Sequence, residues 1–170
     1  MDKNIITEAR NPDTVNIDLA DSLEIARAIN NEDKKVALAV EKVLPQVANA
    51  IDAAALSLQK GGRIAYFGAG TSGRIGVLDA SECPPTFGVF PQLVQGFIAG
   101  GDKALRSAVE NAEDSIQLAE QDFNAFAPSP VDVVIAISAS GNPAYCLKVL
   151  QLAQEKGCTT VAVSSNPLAK

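Results

Sequence analysis

Two groups of carboxylate side chains could perform acid–base chemistry in this sequence. Glu82 stands directly before Cys83 and a double proline, and Glu110, Glu113 and Asp114 lie close together further along. The chain contains no histidine, so proton transfer near neutral pH must fall to a carboxylate, Lys, Tyr or Cys. Two carboxylates whose environments separate their pKa values could serve as acid and base. The alternative is that these side chains are solvated surface acids, which is the usual fate of a glutamate.

A glycine-rich loop precedes Glu82. Residues 68–73 read GAGTSG and follow a short apolar run. Glycines allow close backbone approach to a ligand, and the start of the next helix presents free N–H groups to an anion. A dinucleotide site would also need an acidic residue about 20 positions on, and residues 87–95 contain none, which disfavours nicotinamide binding. The predicted substrate-binding residues of this loop are Gly70, Thr71, Ser72 and Gly73.

A second loop of similar chemistry follows a later apolar run. Residues 138–143 read SASGNP, and we expect Asn142 to cap a helix whose first residue is Pro143. Serines beside a helix N-terminus can bind an anion without a charged side chain, although a plain helix cap that binds nothing has the same sequence. Because both loops follow strands, they indicate a phosphorylated ligand at the carboxyl edge of a sheet. The predicted contacts are Ser138, Ser140, Gly141 and Asn142.

Composition and charge exclude several classes of protein. The net charge is −6, which opposes nucleic-acid binding because phosphate backbones are repelled. No apolar run approaches the roughly 20 residues of a membrane-spanning helix, and the first residues do not resemble a signal peptide. The three cysteines show no metal-binding spacing. We therefore expect a cytoplasmic protein that binds a small molecule, without nucleic acid or membrane.

The elements that must position these residues alternate between strand and helix. Helical periodicity runs from Leu19 to Lys60, with Pro45 expected to break or start a helix. Apolar runs at 64–67, 94–98, 131–137 and 159–163 predict four strands, and the stretches at 72–82, 102–122 and 143–156 predict helices between them. Continuous apolar strands suit a parallel sheet covered on both faces. The sequence therefore predicts a doubly wound α/β fold.

The domain organisation follows from the same pattern. Residues 1–17 are polar and are expected to form an arm, and residues 18–170 are expected to form the phosphosugar-binding domain. A strand-to-loop switch just before the chain ends favours a piece of a longer protein. The alternative is a naturally short sheet whose edge a partner covers.

One long segment is highly specific. Residues 68–89 read GAGTSGRIGVLDASECPPTFGV, and residues 108–114 read AVENAED. Both resemble the N-acetylmuramic acid 6-phosphate etherases, and the similarity runs through essentially all of the chain. The resemblance implies a flavodoxin-like three-layer α/β/α sugar isomerase (SIS) domain with a parallel sheet, preceded by N-terminal helices. It also implies a homodimer that needs no metal and no cofactor.

The resemblance also implies a reaction. The family cleaves the D-lactyl ether of N-acetylmuramic acid 6-phosphate in cell-wall amino sugar recycling, giving N-acetylglucosamine 6-phosphate and D-lactate. The lyase reaction eliminates across C2 and C3 of the ring-opened sugar and then adds water. The glutamate of the family's SECPPTF motif maps onto Glu82 and that of its AED motif onto Glu113, as the two catalytic residues. In the second loop the family has Ser-Gly, then Arg or Asn, then Thr-Pro-Tyr. Residues 140–145 here read SGNPAY, so Pro143 stands where the family has a threonine. Family members are also considerably longer.

Two other functions remain open from the sequence. One is a non-catalytic phosphosugar sensor, favoured by the altered second loop and the short chain. The other is a sugar-phosphate isomerase, which the absence of a histidine for ring opening disfavours.

Overall fold

The computed structural model describes residues 6–167 and Ala169. Four parallel strands form one sheet in the order β2-β1-β3-β4. They are β1 Ile64–Gly68, β2 Val94–Ile98, β3 Val133–Ile137 and β4 Thr159–Val163. Each strand coincides with a predicted apolar run, so the α/β class and the parallel sheet are confirmed.

Six α-helices occur in the part of the chain that the structure describes. They are α1 Ser22–Glu41, α2 Leu44–Gln59, α3 Gly70–Phe87, α4 Asp102–Arg106, α5 Ile116–Phe126 and α6 Ala144–Lys156. The break expected at Pro45 is confirmed, because α1 ends and α2 begins just before this proline.

The single helix predicted over 102–122 is wrong. This stretch contains the short α4, a 3₁₀ turn over Ala112–Asp114 and the start of α5. Asn111 adopts a left-handed conformation with φ 60°, immediately before the turn. A left-handed residue cannot continue an α-helix, so the acidic segment becomes a bent loop with its own geometry.

The core lies mainly between the sheet and the pair α5 and α6. The ring of Phe67 stacks on Phe97 at a centroid distance of 4.8 Å and meets Phe126 edge-on at 6.3 Å. Tyr145 and Val149 of α6 are fully buried in the same cluster. Helix α3 covers the other face, where Gly76 packs against Tyr66. These three layers are the predicted α/β/α arrangement.

The strand order places the two glycine and serine loops side by side. Gly68 at the end of β1 pairs with Ile137 at the end of β3, and adjacent strands lie about 4.8 Å apart. The chain leaves β1 toward β2 on one side, whereas β4 lies beyond β3 on the other. Open α/β sheets bind ligands in the crevice at such a switch point.

Contacts divide the chain into two units. One holds residues 8–51, and the other holds the described residues from 52 onward with Ile6 and Thr7. In the first unit, α1 begins with a capping box in which Asp21 and Glu24 exchange backbone-to-carboxylate hydrogen bonds of 2.8 and 2.9 Å. Every residue of α1 is described, and none is buried. The boundary between an arm and a domain at 17/18 stays a prediction, and residues 1–5 of that arm lie outside the described residues.

Candidate functional site

The first loop turns directly into helix α3. Gly70 begins the helix with φ +55°, and the preceding Ala69 offers no side-chain cap. The N–H groups of Gly70, Thr71 and Ser72 donate to no other described residue. Free N–H groups at a helix start, together with the positive end of the helix dipole, can bind an anion. The structure thus gives three of the four predicted residues of this loop a geometry that suits phosphate.

Gly73, the fourth, has a packing role. It is buried, and a Cβ atom there would lie 2.6 Å from both the Gly68 carbonyl oxygen and Ile98 Cγ1. The absence of a side chain therefore lets α3 approach the ends of β1 and β2.

We expect Gly73→Ala to destabilise the chain by about 1–3 kcal/mol, because overpacking forces backbone shifts. The measurement is the urea midpoint of unfolding. Gly73 does not have a positive φ, so backbone strain would not contribute to the loss. An unchanged urea midpoint would show that the contacts around Gly73 tolerate a methyl group.

A cleft of about 270 Å³ opens beside the first loop. Its walls come from the first loop, from the end of β2, from α4 and from the acidic segment that follows α4. The described residues that line it are Ala69, Gly70, Thr71, Arg74, Ala99, Ala104, Ala108, Val109, Glu110, Asn111, Ala112 and Glu113. The cleft therefore combines helix-terminus N–H groups, one cation and two carboxylates.

Glu113 shares this cleft with the glycine loop. Its side chain is exposed in the 3₁₀ turn, where a ligand in the cleft could reach it. Burial raises the pKa of the Cys146 thiol in α6 to about 11, and the negative charge of Glu113 contributes to that rise. Glu113 thus lies close enough to the start of α6 for its charge to act there.

Glu110 also lines the cleft. The helix predicted over 102–122 would place Glu110 and Glu113, which are three residues apart, on one face. Glu110 instead lies in a turn before the left-handed Asn111. The shared helical face is therefore wrong, and the bend at Asn111 is what brings both carboxylates to the cleft.

The second loop is largely hydrogen-bonded to itself. The Gly141 N–H donates to Ser138 Oγ at 3.0 Å, and the Asn142 N–H donates to Ser140 Oγ at 3.3 Å. Asn166 donates from its amide nitrogen to the Ser140 carbonyl at 3.1 Å. The two serine oxygens thus satisfy N–H groups that could otherwise bind a phosphate. The four predicted contacts of this loop are not among the residues that line the cleft.

The predicted cap of α6 is also wrong by one position. Pro143 is the N-cap residue, with an extended ψ of 131°, and the helix begins at Ala144. No side chain caps this terminus. The backbone N–H of Asn142 instead donates a hydrogen bond to Ser140 Oγ.

Glu82 lies far along α3 from the first loop. The sequence predicted that this helix ends before the double proline. It instead continues through Pro84 and Pro85 to Phe87. A left-handed Gly88 then closes it by donating its N–H to the Pro84 carbonyl at 2.9 Å. Pro84 and Pro85 lack the N–H groups that would bond to the carbonyls of Ala80 and Ser81, so two hydrogen bonds are missing near the C-terminal end of the helix. Glu82 is twelve residues after Gly70, or about 18 Å along the axis.

Sequence reasoning missed Arg74. This residue lies at the start of the second turn of α3 and lines the cleft. Its Nε donates to the Leu105 carbonyl at 3.1 Å and its Nη2 to the Ala104 carbonyl at 2.7 Å. The only sequence signal was a basic residue directly after the glycine loop of an acidic chain.

Two absences concern the described residues only. They contain no helix long and apolar enough to cross a membrane. They also contain no cluster of three or more His, Cys, Asp or Glu side chains that could hold a metal ion.

The sequence matches a known family over residues 46–154, which include both loops and both candidate glutamates. The matching model describes the glucokinase regulatory protein N-terminal SIS domain. Two solved structures share the fold. Phosphoheptose isomerase GmhA from Neisseria gonorrhoeae superposes with a TM-score of 0.66 at 21% identity, over 84% of this chain and 74% of its own. A phosphoheptose isomerase from Francisella tularensis superposes with a TM-score of 0.61 at 22% identity, over 85% of this chain and 76% of its own.

Curated relatives are considerably more similar in sequence. The N-acetylmuramic acid 6-phosphate etherase of Glaesserella parasuis is 55% identical over 96% of this chain and 54% of its own length. That of Cronobacter sakazakii is 53% identical over 96% of this chain and 55% of its own length. The chain therefore spans about half the length of the relatives it matches. It belongs to the SIS-domain family, and within that family its sequence is similar to the N-acetylmuramic acid 6-phosphate etherases.

Proposed function

We propose that the cleft binds a phosphorylated sugar. The observation that carries this proposal is the set of free N–H groups at Gly70, Thr71 and Ser72, placed at the switch point of a parallel sheet. Such groups bind phosphate without a basic cluster, which suits a chain of net charge −6. Membership of the SIS-domain family supports the same ligand class.

We propose further that the protein to which this chain belongs is a cytoplasmic lyase acting on N-acetylmuramic acid 6-phosphate. In the ring-opened sugar, a base removes the C2 proton, the bond from C3 to the ether oxygen breaks, and D-lactate leaves with a proton from an acid. Water then adds to the C2–C3 double bond to give N-acetylglucosamine 6-phosphate. Glu82 and Glu113 are the proposed acid–base pair, and the sequence similarity to etherases supports this assignment.

The positions of the two glutamates favour a homodimer. Glu113 lines the cleft, whereas Glu82 lies about 18 Å along α3 from the start of the helix. Glu82 shares an exposed face of that helix with Ile75 and Leu78, which are 53% and 63% exposed. Neighbouring exposed apolar side chains can form part of a surface that meets a partner. In a two-fold dimer, this face of one copy could supply Glu82 to the cleft of the other.

The first test is an assay for D-lactate after incubation with N-acetylmuramic acid 6-phosphate. It should be run on this chain and on a protein of the relatives' full length. Release of D-lactate and N-acetylglucosamine 6-phosphate in equal amounts is the expected result for the full-length protein. A full-length protein that released no lactate would refute the lyase assignment.

A mixed dimer tests the sharing of the two glutamates. Glu82→Gln and Glu113→Gln are co-expressed with different affinity tags, and the heterodimer is purified through both. If Glu82 acts on the partner's cleft, one of two sites stays intact and the heterodimer keeps about half of the wild-type rate. If both glutamates of a site come from one chain, each site carries one substitution and the heterodimer is inactive. A doubly tagged wild-type dimer is the control for the tags.

The second candidate function is a non-catalytic phosphosugar sensor. The observation that favours it is the second loop, where Ser138 and Ser140 accept hydrogen bonds from the loop's own N–H groups and Pro143, at the family's threonine position, lacks a hydroxyl. Calorimetry would then show binding of the sugar phosphate, and the full-length protein would show no turnover.

A further inference from the structure

Arg74 is held in place through one edge of its guanidinium group. The Nε–H and one Nη2–H donate to the carbonyl oxygens of Leu105 and Ala104, at the end of α4. Both carbonyls belong to the last turn of a helix, which carries a partial negative charge. The arginine side chain is therefore fixed by backbone acceptors, which orient it without neutralising its full charge.

The other edge of the same group is unoccupied. Arginine carries five N–H donors, and Nη1 donates to no other described residue. Arg74 also forms no ion pair with any described carboxylate. The remaining N–H groups on Nη1 and Nη2 form the planar fork that matches two oxygens of a carboxylate or phosphate.

The charges of the residues that line the cleft indicate what the free edge of the Arg74 guanidinium could bind. Among the described residues that line the cleft, Arg74 alone is positively charged, whereas Glu110 and Glu113 are both acidic. An anionic ligand would meet repulsion from these two carboxylates and from a net charge of −6. A fixed guanidinium beside the first loop would offset that repulsion where the ligand lies.

We infer that Arg74 is a ligand-binding residue that holds an oxyanion of the sugar ligand through its Nη1/Nη2 edge. The inference rests on the proposed phosphosugar site. It deepens that proposal by requiring an anionic group, the phosphate or a carboxylate substituent, next to the start of α3.

Three sugars distinguish the source of the oxyanion. N-acetylglucosamine 6-phosphate carries the phosphate alone, N-acetylmuramic acid carries the carboxylate alone, and N-acetylmuramic acid 6-phosphate carries both. Titration calorimetry compares the wild type with Arg74→Lys, which keeps the charge but loses the fork. We expect the doubly anionic sugar to bind about 10- to 100-fold more weakly to the variant, as for the loss of a charge-assisted bidentate contact. The single-anion sugar that carries the recognised group should show the same loss, and the other sugar should not.

Arg106→Lys is the matched control, because Arg106 is exposed on α4, the short helix whose carbonyls hold Arg74, and does not line the cleft. It should leave all three affinities unchanged. An Arg74→Lys variant that binds every sugar as the wild type does would overturn the inference. An equal loss for all three sugars would also overturn it, since Arg74 would then act only by holding α4. Sugar binding that depends on Arg74, in a full-length protein that releases no D-lactate, would refute the lyase and leave this inference standing.

Discussion

Glu113→Gln is expected to lower the rate of D-lactate release by about 10²- to 10⁴-fold, the usual contribution of a positioned acid or base. Glutamine has nearly the same shape but cannot accept or deliver a proton at neutral pH. Glu113 is exposed in the cleft, so the substitution should change the free energy of unfolding by less than about 0.5 kcal/mol. The loss of rate should therefore be chemical in origin. The measurement is the single-turnover rate of lactate release, made on the full-length protein.

Asp114→Asn provides the control for this substitution. Asp114 is the next residue in the same 3₁₀ turn, is also exposed, and is not among the residues that line the cleft. It removes the same charge from almost the same place, so any general electrostatic effect would appear in both variants. A Glu113→Gln enzyme with the wild-type rate would show that another group performs the proton transfer. Such a result would leave the phosphosugar site itself unaffected.

Asp132→Ala is expected to destabilise the chain by about 3–5 kcal/mol, which is typical when one partner of a buried ion pair is removed. Asp132 is only 1% exposed. Its carboxylate accepts hydrogen bonds from the Arg63 N–H at 2.7 Å, from Arg63 Nη2 at 2.8 Å and from the Ser129 N–H at 2.8 Å. These contacts join the residues that precede β1 and β3. The free energy of unfolding, from urea denaturation, measures the loss.

The pH dependence identifies the charge as the cause. Burial alone would raise the pKa of Asp132, but hydrogen bonds from Arg63 and Ser129 outweigh it and leave the pKa below its ordinary value. A lowered pKa means that the stabilisation is fully present above the unfolded pKa of about 3.9 and is lost as the pH falls through the folded pKa. The difference in stability between wild type and Asp132→Asn should therefore be larger at neutral pH than in acid. A difference that did not narrow in acid would argue against the ion pair.

Asp52→Asn is the matched control for that experiment. Asp52 is exposed in α2, so its substitution should cost less than about 0.5 kcal/mol at any pH. Asp132 and Glu113 thus represent two uses of a carboxylate in one chain. The first is buried and paired with a cation, whereas the second is exposed in a cleft, where a ligand could reach it.

Much of the fold could be predicted from the sequence because its signals are local. The run Val133–Ile137 is apolar and rich in β-branched residues, which suits a strand buried on both faces. The spacing of Gly68, Gly70 and Gly73 reflects a tight turn followed by close packing of a helix, and the Cβ distances at Gly73 agree with that reason. Errors arose where one residue overrides a periodic pattern. The left-handed Asn111 interrupts an apparently continuous helix, whereas α3 continues through its two prolines until the left-handed Gly88 ends it.

The strands, the two loops and the types of residue available for chemistry can be read from the sequence, because periodicity and glycine spacing are properties of neighbouring residues. Which of these residues meet depends on the three-dimensional fold. The bend at Asn111 brings Glu113 to the cleft beside Gly70, and backbone carbonyls of α4 fix Arg74 there. The length of α3 keeps Glu82 about 18 Å from the start of that helix. Proximity between distant positions depends on strand order, helix length and single backbone conformations, and a one-dimensional pattern does not encode these.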